Sequence, residues 1–320
     1  MKTKDLLCFT LTLMFAVLLA ACGDDNNAAP DEEDTALPKL VKTDKRLRYI
    51  KILVPQAPNC NQTNRFDYDA DGYLTHISVS SESDGFSTLD YTWSGGRVDT
   101  RIGVPFESGL RYYFRVYTFK NSRAWSTFWE NTFWEADTCR FEYSVAGNLV
   151  RVHGLEGLDI RVSYNGKRIA KITRTMKTYN NESIEAEWTY SYDGMESNGM
   201  CYNVYVDAVI SDYGLPDGNV FFVHPELIGL RNRYLPSSVH VKKKGRFIWG
   251  QEDTTCDITY RWVVDKDKRL EKGYMQMTEI RESEYDVSSV QSNGVERNGR
   301  ASKNTTQTTD YAEEYEFVWE

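Results

Sequence analysis

From Lys45 onward apolar and polar residues alternate with a period of two. Ile184, Ala186, Trp188, Tyr190 and Tyr192 interleave with Glu185, Glu187, Thr189 and Ser191. Ile160, Val162 and Tyr164 alternate with Arg161 and Ser163, and Ile258, Tyr260 and Trp262 with Asp257, Thr259 and Arg261. Successive strand side chains point to opposite faces, so each run predicts a β-strand with one apolar and one wet face. Tyr, Trp, Phe, Ile, Val and Thr suit such a half-buried pleated surface. Between the runs sit Asp71-Gly72, Gly95-Gly96, Ala146-Gly147-Asn148 and Asn165-Gly166, which supply the positive φ of tight hairpin turns. The pattern predicts an all-β protein: an antiparallel hairpin meander of roughly sixteen to twenty strands in one large curved sheet.

The hairpins repeat loosely. Tyr68-Asp69-Ala70-Asp71-Gly72-Tyr73-Leu74, followed by Ile77, fits Y-D-x-x-G-x-L-x-x-I, and Tyr143 to Leu149 with Val152 keeps the frame without the Asp. The anchors Tyr68, Trp93, Phe119, Tyr143, Tyr164 and Tyr192 lie 21 to 28 residues apart. Each unit is one hairpin, and neighbours must stack to bury the aromatic face.

Three stretches depart from the alternation. In 213–238, His224-Pro225-Glu226-Leu227 predicts one helical turn with Pro at its first position, a short covering element. Residues 283–309, rich in Ser, Asn, Thr and Gly, predict a long polar loop. The basic cluster Lys242-Lys243-Lys244-Gly245-Arg246 predicts a solvated turn between two strands.

The first 44 residues are different in kind. Lys2 and Lys4 precede the apolar run Leu6 to Ala21, too short for a membrane-spanning helix of about 20 residues. A charged start, apolar middle and small-residue exit predict a signal peptide over 1–21. Leu19-Ala20-Ala21-Cys22 resembles the bacterial lipobox, which implies cleavage before an acylated Cys22. Residues 22–44 then form an acidic tether, with six acids between Asp24 and Asp34 and no aromatic residue, a composition that cannot bury a core. Asp24-Asp25 resembles the surface-export tag of Bacteroidota lipoproteins, and Asp34-Thr35-Ala36 the O-glycosylation sequon of that phylum, which implies sugar on Thr35. Residues 45–320 are read as a single β domain.

Charge limits the partners. The precursor carries 38 basic and 47 acidic residues. Apart from the Lys242–Arg246 cluster, read as a solvated turn, a chain with this excess of acids lacks the clustered cations that nucleic acid requires. Cys60, Cys139, Cys201 and Cys256, in an oxidising compartment, allow disulfides in three pairings that spacing does not choose between, and none has metal-site spacing.

Two constellations carry possible ligand chemistry. Asp67-x-Asp69-x-Asp71-Gly72 has the opening of a calcium loop, although Ser78 stands where the bidentate Glu belongs. Trp125, Trp129 and Trp134 are the densest aromatic cluster, and exposed flat rings there could stack on sugar faces. There is no GxSxG, HExxH, GxxxxGKT or CxxC, so no catalytic constellation and no cofactor beyond the possible calcium is expected.

The lipobox, acidic tether, Y-D-x-x-G-x-L hairpins and His224-Pro225-Glu226-Leu227…Leu235-Pro236 together resemble a Bacteroidota outer-membrane lipoprotein family of unknown function with a porin-like β fold. The hairpins are also similar to the YD repeats of large secreted shell proteins. The resemblance implies a barrel-like meander and no catalytic residue. The expectation is a non-catalytic lipoprotein anchored at the outer membrane and exposed at the surface, a binding or structural module for glycan or protein. The alternatives are a carrier of a lipophilic ligand in a barrel cavity and a glycoside hydrolase with dispersed acids.

Overall fold

A computed structural model describes residues 36–41, 45–81, 85–106, 109–131, 134–154, 157–177, 182–197, 220–229, 234–247, 250–287 and 301–320. The strands are β1 (Leu47–Leu53), β2 (Gln62–Tyr68), β3 (Leu74–Ser81), β4 (Gly85–Ser94), β5 (Arg97–Phe106), β6 (Gly109–Lys120), β7 (Arg123–Asn131) and β8 (Trp134–Tyr143). They continue as β9 (Leu149–His153), β10 (Asp159–Asn165), β11 (Arg168–Lys177), β12 (Ser183–Ser191), β13 (Ser238–Phe247), β14 (Gly250–Val264), β15 (Leu270–Val287) and β16 (Ala301–Trp319). Each pairs antiparallel with its sequence neighbours, and β16 returns to β1 to close a barrel. The all-β hairpin meander is as the alternation implies and the barrel-like form as the family likeness implies; the closure of β16 on β1 is the structure's own finding.

Apart from β12–β13, which are joined through residues 192–237, the even-to-odd hairpins are tight, and all these connections share one mouth of the barrel. There the repeat motif becomes physical. Asp69 Oδ1 accepts from the Gly72 and Tyr73 amides at 2.8 and 2.9 Å, fixing the turn. Gly72 has φ +99°, and a Cβ there would lie 2.7 Å from the Arg46 guanidinium. That guanidinium stands 5.6 Å from the Tyr68 ring centroid. Tyr68 follows a bulge and donates its hydroxyl to the Leu47 carbonyl on the preceding strand at 2.9 Å. Leu74, the next strand's first residue, is fully buried.

The same clamp recurs round the mouth. Trp93 donates to Leu74 O, Tyr143 to Ala124 O, Tyr164 to Leu149 O, Tyr192 to Ile169 O and Trp319 to Leu270 O, at 2.6 to 2.8 Å. Phe119 has no donor and instead stacks on Trp93, with ring centroids 5.8 Å apart. The six acceptor residues are also buried apolar side chains, each at most 1% exposed. One ring of residues thus supplies both the carbonyls and the floor of the core.

Membrane barrels of sixteen strands leave an aqueous channel. Here the inward residues and the 220–236 segment form one continuous apolar cluster at this mouth. The segment carries a helical turn, Val220–Val223, and a 3₁₀ turn, Pro225–Ile228, with Pro at its first position, as predicted. Phe221 meets Tyr117 edge-on at 5.0 Å, and Val220, Leu227 and Ile228 are fully buried. The covering element therefore sits inside the mouth as a plug.

Two expectations for loops are corrected. The described parts of 283–309 are strand: β15 runs to Val287 and β16 starts at Ala301, with continuous pairing up to Val287↔Ala301, and residues 288–300 lie outside the described residues. Thr305 to Thr308 are exposed and the buried position described in that stretch is the polar Ser283, so the polar composition that suggested a loop belongs to strand. The basic cluster lies within β13, which pairs with β14 as far as Phe247↔Gly250. Lys242, Lys244 and Arg246 all point outward there, because alternate residues of one strand share a face.

Candidate functional site

The wall of the barrel separates charge from apolar surface by parity. Its outer side carries ion pairs and His–carboxylate contacts between adjacent strands. Lys51 meets Glu316 at 3.1 Å, His76 meets Asp90 at 2.7 Å, His153 meets Glu142 at 2.9 Å and Lys171 meets Glu187 at 2.6 Å. His240 and Asp257, directly opposed on β13 and β14, lie 2.6 Å apart. Burial pushes the Asp159 carboxyl up, but hydrogen bonds from Arg151 and Arg161 outweigh it and hold it below the usual carboxylate range. A lipid-facing wall requires an apolar belt, and Lys or Arg at its midplane costs about 2–4 kcal/mol each. Among the described residues no helix is long and apolar enough to cross a membrane.

The inner side is apolar at the plugged mouth and mixed beyond it. Arg115 and Arg174 are 1% and 3% exposed, with Arg174 against the Trp188 ring at 5.5 Å. On β14 and β15, Arg281 lies 3.5 Å from Glu252 and 3.1 Å from Glu279. Sequence analysis did not single out these inward charges. The available signal was parity: Arg115 falls on the same face as Tyr113 and Tyr117.

The plug is tied to the chain that enters the barrel. Residues 36–41, the described part of the acidic leader, cross the plugged mouth. The Lys39 amide donates to Ser122 Oγ at 2.9 Å and the Val41 amide to Glu226 Oε1 at 3.2 Å, while the Tyr73 hydroxyl donates to Pro38 O at 3.0 Å. Pro38 is buried. Within the mouth, His224 is 7% exposed and meets the rings of Tyr68 and Trp93 edge-on, each at 6.4 Å.

The predicted ligand residues separate. Trp125 is 39% exposed on the outer wall, with Lys120 and Arg140 at 5.0 and 5.7 Å from its ring. Cations already occupy it, each contact worth about 0.5–1 kcal/mol at an exposed site. Trp129 is in register opposite Arg115 and Trp134 opposite Asn131, and their side chains lie outside the described residues. In the Asp67, Asp69, Asp71 motif, Asp67 faces outward and pairs with Arg48 and Arg65, both at 3.1 Å. Asp69 fixes the hairpin turn, and Asp71 is exposed. The three carboxylates thus serve a wall and a turn, and among the described residues no three His, Cys, Asp or Glu side chains gather as metal ligands.

Where disulfides were one option, Cys60 and Cys256 hold free thiols. Cys60 follows β1, and Cys256 lies on β14, three strands away through β16 and β15. At ~4.8 Å per strand that separation far exceeds the ~7 Å a disulfide spans between Cα atoms. Burial, and then the Glu279 carboxylate, push the Cys256 thiol up to about 12. Cys139 is half-buried on β8. Cys22, Thr35 and Cys201 lie outside the described residues.

Beyond the plug, β14, β15 and β16 are 15, 18 and 19 residues long and rise above their neighbours. A shallow polar hollow of about 310 Å³ lies on this tall wall, lined among others by Asp253, Glu282, Glu284, Thr305 and Thr306.

No family model matches the chain, and no curated protein matches it. Among solved structures, a porin-like protein from Bacteroides uniformis ATCC 8492 is similar at 13% identity and a TM-score of 0.54, over 89% of this chain and 100% of that one. A porin-like protein from Bacteroides vulgatus ATCC 8482 matches at 14% identity and a TM-score of 0.36, over 72% of this chain and 92% of that one. The first likeness shows the fold: an antiparallel barrel of the porin-like kind.

Proposed function

We propose that this protein is a non-catalytic envelope lipoprotein, a water-exposed barrel held to the outer membrane by a lipid on Cys22 and acting as a binding or structural module for protein or glycan. One observation carries the reading: among the described residues the outer wall bears ion pairs where a pore that faces lipid needs an apolar belt, and the plugged mouth is filled by an apolar core. The acidic leader meets the barrel at the plugged mouth, so an anchor on Cys22 sets that mouth nearest the bilayer. The opposite mouth, with its loops and tall β14–β16 wall, then faces outward as the binding side.

The test is fractionation. The wild-type chain stays with membranes, whereas Cys22→Ala appears folded in the soluble fraction. A Cys22→Ala protein that remains in membranes after a carbonate wash would overturn the lipid anchor and favour a spanning barrel.

A further inference from the structure

The barrel wall closes unevenly. β1 has 7 residues and β16 has 19. β1 pairs with β16 only from Leu53↔Glu314 to Leu47↔Trp319, whereas β15 pairs with β16 as far as Val287↔Ala301. Among the described residues, β16 from Ala301 to Asp310 therefore has a neighbour on one side only.

The direction of its backbone groups follows from one contact. Gln56, in the loop after β1, donates from Nε2 to the Ala312 carbonyl at 3.0 Å. That carbonyl thus faces away from β15. A strand residue presents its N–H and C=O to the same side, and the side alternates along the chain. Asn304, Thr306, Thr308 and Asp310 consequently turn both groups to the open side, and Thr305, Gln307 and Thr309 turn theirs to β15.

Of the usual guards this edge carries one lysine, Lys303 near its end, and lacks the others. Exposed edges are normally blunted by Pro, bulges or inward charge. Here 301–312 contains no Pro or Gly, four Thr residues favour an extended chain, and the β15–β16 ladder carries no register shift. Thr305 to Thr308 are exposed.

The surface beside the edge is acidic. On the outer side, β15 presents Glu282 and Glu284, and β16 presents Asp310 and Glu314. The outward positions from Tyr274 to Glu284 and from Asn304 to Glu314 include no Lys or Arg. The hollow lined by Glu282, Glu284, Thr305 and Thr306 lies on the same strands.

We infer that the open edge of β16 takes up an extended, basic segment of a partner protein as an added strand. Main-chain hydrogen bonds to the even-numbered residues hold the backbone, and Lys or Arg on the added strand's outer side meets the carboxylates. A second copy of this chain fits less well, because pairing two β16 edges would set both sets of carboxylates on one face, where like charges repel. The inference rests on the water-exposed binding module proposed above and names its partner class.

The experiment uses the full chain in mild detergent and an acetylated, amidated peptide of alternating Lys and Val. Binding is read by fluorescence anisotropy, and amide hydrogen exchange is followed residue by residue. The peptide should bind, weaken with salt, and slow exchange at Asn304, Thr306 and Thr308, while its Glu–Val counterpart should not bind. Thr308→Pro removes a donor from the open side and leaves the β15 ladder intact, so it should weaken binding by about tenfold or more. Glu282→Lys with Glu284→Lys, which alters no backbone group, should weaken it likewise.

Absence of binding, binding that survives both variants, or protection away from β16 would each overturn the inference. So would a concentration-dependent dimer, by sedimentation, that Thr308→Pro abolishes. These readouts do not depend on where the chain fractionates, so failure here and failure of the lipid-anchored reading are separate results.

Discussion

The Tyr164 hydroxyl, late in β10, donates to the Leu149 carbonyl at the start of β9, 2.8 Å away. Tyr164 follows a bulge that shifts the register between Ser163 and Tyr164, and Leu149 is fully buried. A bulge turns its strand locally; here it carries the ring over the neighbouring strand's first residue. The same construction at Tyr68 and Tyr143 makes the clamp a repeated joint of the barrel.

Removing one clamp hydroxyl should therefore weaken the whole barrel. Tyr164→Phe keeps the ring and leaves the Leu149 carbonyl without that donor, so it should cost about 1–2 kcal/mol. Tyr68→Phe should add a similar loss independently, since sites this far apart are roughly additive. Urea denaturation of the single and double variants measures both. A double variant as stable as wild type would deny the clamps any part in stability.

The clamps also predict alkaline lability. Burial pushes the Tyr68, Tyr143 and Tyr164 phenols above their ordinary value. A folded-state pKa raised above the unfolded value gives stability that is complete below the unfolded pKa, ~10 for Tyr. That stability is lost as pH rises further, because the unfolded chain releases protons first. The denaturation midpoint should fall from pH ~10 upward, with Tyr absorbance changing together with unfolding. Phenols that titrate with the fold intact would contradict this.

Cys256 should be chemically quiet in the native protein. Its thiol is buried and pushed up to about 12, so the reactive thiolate is scarce. Iodoacetamide at pH ~8 should leave Cys256 unmodified in the folded chain and alkylate it in urea. Peptide mass mapping distinguishes the two, and rapid native alkylation would show that the site opens.

Gly229 should resist replacement. It ends the plug's 3₁₀ turn at φ +68°, where a Cβ would approach the Gly147 carbonyl to 2.8 Å. Its own carbonyl accepts from the Leu149 amide at 3.4 Å. Gly229→Ala combines the left-handed cost of ~1–2 kcal/mol with a backbone clash that no side-chain movement relieves. Thermal unfolding should drop by several degrees; an unchanged midpoint would mean the plug is not packed against the β8–β9 turn in solution.

Much of this was legible because local rules act within a few residues. The Asp69-to-Gly72 turn, the anchors at Tyr68, Trp93, Tyr143, Tyr164 and Tyr192, and the Pro225 turn all follow from short-range chemistry. Residues 283–309 misled because composition detects an apolar face, and the buried position described there is the polar Ser283. Residue type also could not show that the exposed Trp125 ring has Lys120 and Arg140 beside it, because both partners come from other points of the chain. The Asp67 motif likewise could not reveal that Arg48, distant in sequence, would take its first carboxylate.

By itself the sequence determined which side of the alternating strands is wet, where the Gly- and Asn-marked hairpins turn and which residue anchors each repeat, since these depend on alternation and on backbone preferences. Only the tertiary structure decided that β16 returns to β1, that the Pro225 segment enters the mouth, and that β16 outreaches β1 to leave an open edge. Those outcomes depend on which strands meet and on their relative lengths, and pairing between distant segments leaves no periodic trace in either one alone.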